Sequence, residues 1–319
     1  MNTFLGMKIL KRVCTSAIAA AFAMSLGAVT TVAQAAATVK FGVPPWPGVT
    51  VKTEVARQLL GAIGYQTAVT NAGYIIDLQG VARGDLDADM AIWMPSQGST
   101  VNPLVKSGKI KLLTANVPDA LYDVVVPNYV WQAGVHSIAD LHKYADKFGR
   151  KIYGIEAGND GNQIMIDAIK KNTYNLAGWE LVPSSTAGML AQAGRAIEQH
   201  KWIVFLGWKP HWMNIKYKLH YLQDPKKIWG GPSTVYTAVN PEFIKKQPNA
   251  ARFLKQMVVY SKAQSEWIYD YGYKKQKADA VATAWIKANM DVVAKWLKGV
   301  KTADGSKPAL EVVKARFAQ

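Results

Sequence analysis

The chain has 319 residues, a formal net charge of +16 and a single cysteine, Cys14, and 50% of its residues are hydrophobic. This length suffices for one large domain or for two lobes, each built around a hydrophobic core. Because the lysines of the last hundred residues are spaced as on solvated helix faces, the charge favours solubility and weak attraction to acidic surfaces, and we expect no nucleic-acid partner.

Residues 1–35 have the layout of a cleavable secretory signal peptide. Three basic residues precede an apolar stretch over 13–32, and Ala33-Gln34-Ala35 provides the small-x-small pattern of a cleavage site. A retained membrane anchor is the alternative, but the stretch is rich in Ala, Ser and Thr and so only weakly apolar. Cys14 precedes the apolar stretch, which argues against a lipid anchor. We therefore predict a periplasmic protein that lacks disulfides, thiolate nucleophiles and cysteine-ligated metals.

The first part of the exported chain alternates between strand-like and helix-like stretches. Predicted strands and helices follow one another as "TVKFGVP", "TVKTEVARQLLGAIG", "YQTAVTNA", "IIDLQGVARGD" and "ADMAIWMP". In the first helix Val51, Val55, Leu59 and Ile63 recur every four residues and form one apolar stripe. Such repetition predicts an α/β fold with a mostly parallel sheet and helices on its faces.

The alternation restarts downstream, after an extended segment, "ALYDVVVPNYVW". The second series runs through "KIYGIEA", "NDGNQIMIDAIKKN", "WELVPSS", "TAGMLAQAGRAIEQH" and "WIVFLGW". A second extended segment, "STVYTAVNP", leads to C-terminal stretches predicted to be helical, among them "NAARFLKQMVVYSKAQSEWIYDYG". Two series joined by two crossings predict a first lobe at 36–120 plus 234–319 and a second lobe at 121–233, hinged around a cleft. A single doubly wound domain is the alternative.

Three tryptophans stand where predicted strands end. Trp46 follows the first strand, and Trp93 and Trp208 stand close before a proline in "IWMP" and "GWKP". Ligands of open α/β sheets bind beyond the carboxyl ends of the strands, and Tyr122 in the first crossing can face the same cleft. For any single tryptophan a place in the core is the simpler interpretation. Three at corresponding strand ends predict an aromatic cage, which attracts a quaternary ammonium.

A glycine- and asparagine-rich turn, "GNDGN", leads from a predicted strand into a helix. Asn159 and the free N–H groups of that helix start suit a ligand hydroxyl or carboxylate. An ordinary helix cap explains the turn equally well, and no phosphate-loop pattern is present. The chain also offers no metal-spaced cluster and no Ser-His-Asp grouping, since His211 and His220 are isolated. We therefore expect a binding protein without metal or cofactor, and not an enzyme.

These stretches resemble a known family, the periplasmic substrate-binding proteins of ABC importers for glycine betaine and choline, and especially its choline-binding branch. The most specific stretches are "KIYGIEAGNDGNQIM", "GMLAQAGRA", "FLGWKPHWMN" and "AVATAWIKAN". The resemblance implies the type II periplasmic binding protein fold, with two hinge-connected lobes and the ligand in the cleft between them. It also implies delivery of the ligand to the membrane permease and ATPase subunits of an ABC importer.

The resemblance assigns the cage residue by residue. It places Trp46, Trp93, Tyr122 and Trp208 as aromatic walls around a trimethylammonium group, and Asn159 at the polar end of the ligand.

Two positions depart from the choline-binding pattern, which carries an acid two residues after the first tryptophan and another after the last. Here those positions hold Gly48 and Lys209, so we expect a site that is less negative. This change favours a zwitterion such as glycine betaine or carnitine, with choline as the alternative.

Two further classes remain open. One is an enzyme acting on a trimethylammonium compound in the same fold. The other is a binder of an amino acid or polyamine, although the cleft loops supply only Asp123, Glu156 and Asp160 for a polyamine.

Overall fold

A computed structural model describes residues 37–318 of the chain. The predicted signal peptide lies outside the described residues. Within residues 37–318, none of the helices combines the length and the apolar character that a membrane span requires.

The described chain is a mixed α/β structure. Its strands are β1 Thr38–Gly42, β2 Gln66–Thr70, β3 Ala88–Met94, β4 Lys111–Pro127, β5 Lys151–Tyr153, β6 Glu180–Val182, β7 Phe205–Lys209, β8 Leu219–Tyr221 and β9 Ser233–Val239. Its α-helices are α1 Pro47–Ala62, α2 Tyr74–Arg83, α3 Gly98–Lys106, α4 Asn128–Gln132, α5 Ala145–Phe148, α6 Asp160–Lys170, α7 Thr186–Glu198, α8 Met213–Lys216, α9 Pro241–Lys246, α10 Pro248–Gln256, α11 Ser261–Ile268, α12 Ala278–Ala288, α13 Met290–Trp296 and α14 Ala309–Phe317. Two 3₁₀ segments, Ile138–Tyr144 and Thr173–Asn175, and one π-helical turn, Tyr269–Tyr273, complete the helical elements.

The strands form one continuous sheet in the order β2-β1-β3-β9-β4-β7-β5-β6, with β8 beside β4. The outer triplets β2-β1-β3 and β6-β5-β7 are parallel, as the β-α repetition predicts. The inner strands β9 and β4 run antiparallel to each other, and each also runs antiparallel to its outer neighbour. Two parallel α/β units are thus joined by an antiparallel pair.

The long strand β4 belongs to both units. Its first part, Lys111–Ala120, pairs with β9, and its later residues Leu121–Val125 pair with β7. The register between β4 and β9 shifts between Val117 and Ala120, immediately before the partner changes. A bulge of this kind interrupts the hydrogen-bond ladder and bends the strand.

Two large hydrophobic clusters fill the molecule. The first core draws on residues 39–91 and 239–313, and the second core draws on residues 122–229. Each cluster covers one parallel unit, so the C-terminal helices return to pack on the first. We keep the predicted division into lobes, 36–120 plus 234–319 and 121–233, as a proposal. On this proposal the cleft lies between the two cores.

Helix α1 shows how the sequence pattern produces the local structure. Val51, Val55 and Leu59 are fully buried in the first core, and Ile63 is the residue that ends the helix. The helix begins three residues before the predicted helical stretch, because Pro47 occupies its first turn, where proline needs no hydrogen-bond partner.

The prediction of one continuous helix over residues 249–272 is wrong, because the helix is interrupted. The residues from 249 to 272 form most of α10, all of α11 and most of the π-helical turn, and four residues without helical structure separate α10 from α11. Met257 and Val259 in this gap are buried, and the Val259 N–H donates to the Asn116 carbonyl, 2.8 Å away, at the edge of β4. Pairing with the sheet therefore outweighs the local helical preference.

Candidate functional site

All five residues singled out from the sequence line one cavity. Trp46, Trp93, Tyr122, Asn159 and Trp208 surround about 620 Å³ of empty space, including its open mouth. These residues lie up to 162 positions apart in the chain. They meet because both α/β units fold around the cavity.

The strand ends position the three indoles. Trp46 follows β1 and is the N-cap residue of α1, Trp93 is the penultimate residue of β3, and Trp208 is the penultimate residue of β7. Tyr122 on β4 is the direct cross-strand partner of Trp208. The peptide bonds Met94–Pro95 and Lys209–Pro210, just beyond two of these rings, are cis.

Tyr122 is the centre of the aromatic group. Its ring centroid lies 5.9 Å from both Trp93 and Trp208, with edge-to-face interplanar angles of 64° and 87°. Trp229 packs behind it at 4.9 Å. These rings pack against the second core, whereas Trp46 packs against the first core and stacks on Tyr74 at 6.0 Å. Aromatic walls from both cores therefore enclose the cavity.

Asn159 both caps a helix and lines the cavity. Its Oδ1 accepts hydrogen bonds from the Gly161 N–H, 2.8 Å away, and from the Tyr122 hydroxyl, 3.0 Å away. Burial, reinforced by the nearby Glu156 carboxylate, raises the pKa of Tyr122, so its hydroxyl stays protonated and keeps donating. Because Oδ1 already has two donors, the amide N–H groups of Asn159 are the part of this side chain available to a ligand.

Asp160, the first residue of α6, also lines the cavity and contacts residues outside the second core. Its carboxylate accepts hydrogen bonds from the Tyr74 hydroxyl, from Ser99 Oγ at 3.1 Å and from Thr100 Oγ1 at 3.3 Å. Tyr74 begins α2 and the other two residues lie in α3, so one carboxylate joins three elements. Burial raises the pKa of Asp160 to about 6.

Sequence reasoning missed a buried lysine at the cavity. Lys52 is 1% exposed and lines the cavity one helical turn beyond Gly48. Its ammonium donates to Asn116 Oδ1 at 2.6 Å. Burial lowers the pKa of Lys52 to about 7, against the opposing effect of the Asp89 carboxylate. The only hint in the sequence is the placement of this lysine beside the apolar stripe of α1.

Lys209 and the nearby Trp212 are not among the residues that line the cavity. Lys209 is exposed and its ammonium sits 5.2 Å from the Tyr221 ring centroid. Trp212 packs on Tyr273 at 5.3 Å and contacts Gly272 in the π-helical turn. Of the two departures from the choline-binding pattern, only Gly48 touches the cavity.

Among residues 37–318, no group of three or more His, Cys, Asp or Glu side chains is placed to hold a metal ion. His211 is buried rather than solvated, and burial lowers its pKa to about 3, so it is neutral.

Comparison with known proteins adds a family match. Residues 37–288 match the family model described as the substrate binding domain of ABC-type glycine betaine transport system.

Two solved structures share this fold. An ABC-transporter choline-binding protein in complex with choline is 33% identical, with a TM-score of 0.84 over 88% of this chain and 98% of that one. Lactococcal OpuAC in its closed form with glycine betaine is 31% identical, with a TM-score of 0.74 over 82% of this chain and 99% of that one. These likenesses confirm the predicted two-lobed periplasmic binding protein fold.

A curated relative also matches. The glycine betaine/carnitine transport binding protein GbuC of Listeria monocytogenes is 34% identical over 162 residues, which span 51% of this chain and 54% of that protein.

Proposed function

The chain belongs to the family of substrate-binding domains of ABC-type glycine betaine transport systems, and from this premise we propose that its ligand is a trimethylammonium zwitterion such as glycine betaine or carnitine. The protein captures its substrate outside the cytoplasm and delivers it to the permease and ATPase subunits of an ABC importer. We further propose that it is a periplasmic protein, exported through cleavage of residues 1–35.

The observation that carries the ligand class is the meeting of aromatic rings from both cores around one cavity. Trp46, Trp93, Tyr122 and Trp208 provide ring faces, whose negative potential attracts a cation. A trimethylammonium group has no N–H to donate, so it gains more from ring faces and apolar contact than from carboxylates. We propose these four rings as the cage, with Asn159 meeting the polar end of the ligand.

A zwitterion fits the charges that line this cavity. Among the residues lining it, Lys52 and Asp160 are the ones that can carry a charge near neutral pH, one of each sign. Gly48 supplies no carboxylate where the choline-binding pattern has an acid. A ligand that brings its own carboxylate therefore leaves fewer charges without a partner than a plain cation does.

Choline is the second candidate, because the solved choline complex matches this chain with 33% identity over 88% of its length. The proposed aromatic cage would bind the trimethylammonium group of choline as well as that of a zwitterion, because both ligands carry the same group.

A polyamine fits less well. Of Asp123, Glu156 and Asp160, only Asp160 is among the described residues lining the cavity.

We also propose that the protein catalyses no reaction on its ligand. The raised pKa of Tyr122 makes its hydroxyl a poor nucleophile, and the neighbouring Asn159 is not a base. Recovery of unchanged glycine betaine after prolonged incubation with the protein, followed by NMR, is the expected result. A new product would establish an enzyme.

Calorimetric titration with glycine betaine, carnitine and choline tests the ligand. We expect a zwitterion to bind most tightly, and tightest binding of choline would overturn that preference. Trp208→Ala is expected to weaken either ligand by roughly 2- to 30-fold from the lost cation–π energy, and more through lost apolar contact. Trp131→Ala, a change in a ring that stacks on His220 outside the cavity lining, is the matched control. Equal effects of both changes would argue against the cage.

A further inference from the structure

A buried glutamine fills the place that an acidic side chain at position 48 would need. A Cβ on Gly48 would lie 2.7 Å from Gln264 Nε2 and 3.1 Å from Ile268 Cδ1. Gln264 belongs to α11, which is distant from Gly48 in the sequence, and it lines the same cavity. The amide of Gln264 therefore stands where the choline-binding pattern has a carboxylate.

Gln264 has no partner that accounts for its position. The side chain is 3% exposed, and its Oε1 is buried without a hydrogen-bond partner among the described residues. The unpaired Oε1 is an acceptor, so a ligand carboxylate cannot supply its missing hydrogen bond, and the donor of this side chain is the group that could meet one. Its Nε2, the atom nearest to Gly48, is an N–H donor and so suits an acceptor on a ligand.

Lys52 is the second unsatisfied group at this end of the cavity. An ammonium has three N–H donors, and Asn116 Oδ1 accepts one of them. The ion pairs found within residues 37–318 do not include Lys52. The Asp89 carboxylate acts on Lys52 without forming an ion pair with it, so a ligand carboxylate that enters the cavity would supply an anion in direct contact with the ammonium.

The start of α1 adds backbone donors beside these two side chains. Gly48 and Val49 occupy the first turn of this 16-residue helix, and both line the cavity. Their N–H groups have no intrahelical acceptor, and the N-cap residue Trp46 provides no side-chain cap. The helix dipole also favours an anion at this end.

We propose that Gln264, Lys52 and the first amides of α1 form a subsite that, together with the Asn159 amide lining the same cavity, receives the carboxylate of the ligand and selects a zwitterion over choline. This inference rests on the proposed function, since it takes the trimethylammonium group to lie in the cage. A carboxylate only accepts hydrogen bonds, and Gln264 Nε2, the Lys52 ammonium and the first N–H groups of α1 are all donors. The choline hydroxyl carries no charge and satisfies fewer of these donors.

Three variants test the subsite by calorimetry with glycine betaine and choline. Lys52→Met and Gln264→Leu keep the approximate size of each side chain, and Lys262→Met on the exposed face of α11 is the matched control. We expect each subsite variant to weaken glycine betaine by about tenfold or more, as for loss of a charge-assisted hydrogen bond. Choline affinity is expected to stay the same or to improve, because the lost groups are a cation and an N–H donor.

The reciprocal change restores the acid. Gly48→Asp combined with Gln264→Ala frees the space that the introduced carboxylate needs, and choline affinity is expected to rise while glycine betaine affinity falls. Thermal unfolding of each variant is measured first. If Lys52→Met does not fold, Gln264→Leu and the double variant carry the test.

The outcomes separate the two proposals. Equal losses of both ligands in the subsite variants would overturn the subsite and leave the cage intact. Failure of the unchanged protein to bind either ligand would overturn the proposed function itself. A reversed preference in the variants supports both.

Discussion

Gly161 is a glycine because the Tyr122 hydroxyl occupies the place of its side chain. A Cβ there would overlap that hydroxyl and lie 2.6 Å from Cζ of the same ring. The hydroxyl in turn donates to Asn159, which caps α6, the helix whose second residue is Gly161. The cage ring, the cap and the helix start are therefore fixed together.

Gly161→Ala is expected to displace Tyr122 and lower quaternary ammonium affinity by about tenfold or more, at a cost in stability of about 1–3 kcal/mol for overpacking. Isothermal titration and thermal unfolding measure the two effects. Gly61→Ala is the control, since a Cβ at Gly61 in α1 meets no atom within 4 Å. That change is expected to stabilise by about 0.5–1 kcal/mol. Full affinity in Gly161→Ala would show that the tight contact has no role in binding.

The charge state of Lys52 makes ligand preference depend on pH. In the free protein burial lowers the pKa of Lys52 to about 7 and raises that of Asp89 to about 7, so the two titrate as a coupled pair. Burial also raises the pKa of Asp77, which interacts with Asp89, to about 7. Asp160 titrates lower, at about 6. A ligand carboxylate stabilises the ammonium form, so above pH 7 its binding requires proton uptake.

We therefore expect glycine betaine affinity to fall between pH 7 and 9, by at most about tenfold per pH unit. Choline affinity is expected to hold or rise, because the neutral amine no longer repels the cation. Titrations in buffers of different ionisation enthalpy measure the proton uptake. A parallel decline for both ligands would contradict the assignment to Lys52.

Residue by residue, the sequence locates the cavity-lining residues of the proposed cage better than those of the proposed subsite. Trp46, Trp93 and Trp208 can be found because each follows or ends a predicted strand, and strand ends converge in α/β folds. Gln264 and Lys52 lie inside helices, where nothing in the local pattern separates a cavity-lining polar residue from a solvated one. Their roles depend on packing between α1 and α11, more than 200 residues apart.

At the level of elements, the start of α6 is held by residues from the other unit. Tyr74 at the start of α2 donates to Asp160, and its ring also stacks on Trp46. With the lobes divided as proposed, this contact joins the first lobe to the second at the edge of the cavity. We expect this hydrogen bond to form only when the cleft is closed.

Tyr74→Phe removes the hydroxyl and keeps the ring stacked on Trp46. We expect ligand to dissociate about tenfold faster, since a hydrogen bond to a charged group contributes about 1.5–3 kcal/mol, with little change in the association rate. Stopped-flow tryptophan fluorescence measures both rates. Tyr129→Phe is the matched control, because the Tyr129 hydroxyl donates to the Lys201 carbonyl inside the second unit. Equal dissociation rates in the two variants would show that the Tyr74–Asp160 hydrogen bond does not hold the closed form.

Element boundaries are predicted less well than element types. The sequence indicates helix across the residues now divided between α10 and α11. The break arises because Met257 and Val259 are needed in the first core and at the edge of β4. Long-range pairing of this kind is invisible to local propensity. The strand β7 likewise begins at Phe205, later than its apolar run suggests.

For the whole molecule, β4 and β9 are the two chain segments that cross between the cores. The bulged register between Val117 and Ala120 weakens their pairing just where β4 leaves β9 for β7. Bending is easiest where the hydrogen-bond ladder is interrupted. We propose this stretch as part of the hinge, which agrees with a first lobe ending at residue 120.

Ligand binding is then expected to close the cleft and compact the molecule. The radius of gyration, roughly 19 Å for a compact exported chain of this size, should fall when glycine betaine is added, as measured by small-angle X-ray scattering. Lys262→Met should close like the unchanged protein, whereas Tyr74→Phe should need more ligand to reach the same compaction. A radius of gyration that stays unchanged at saturating ligand would contradict closure about the proposed hinge.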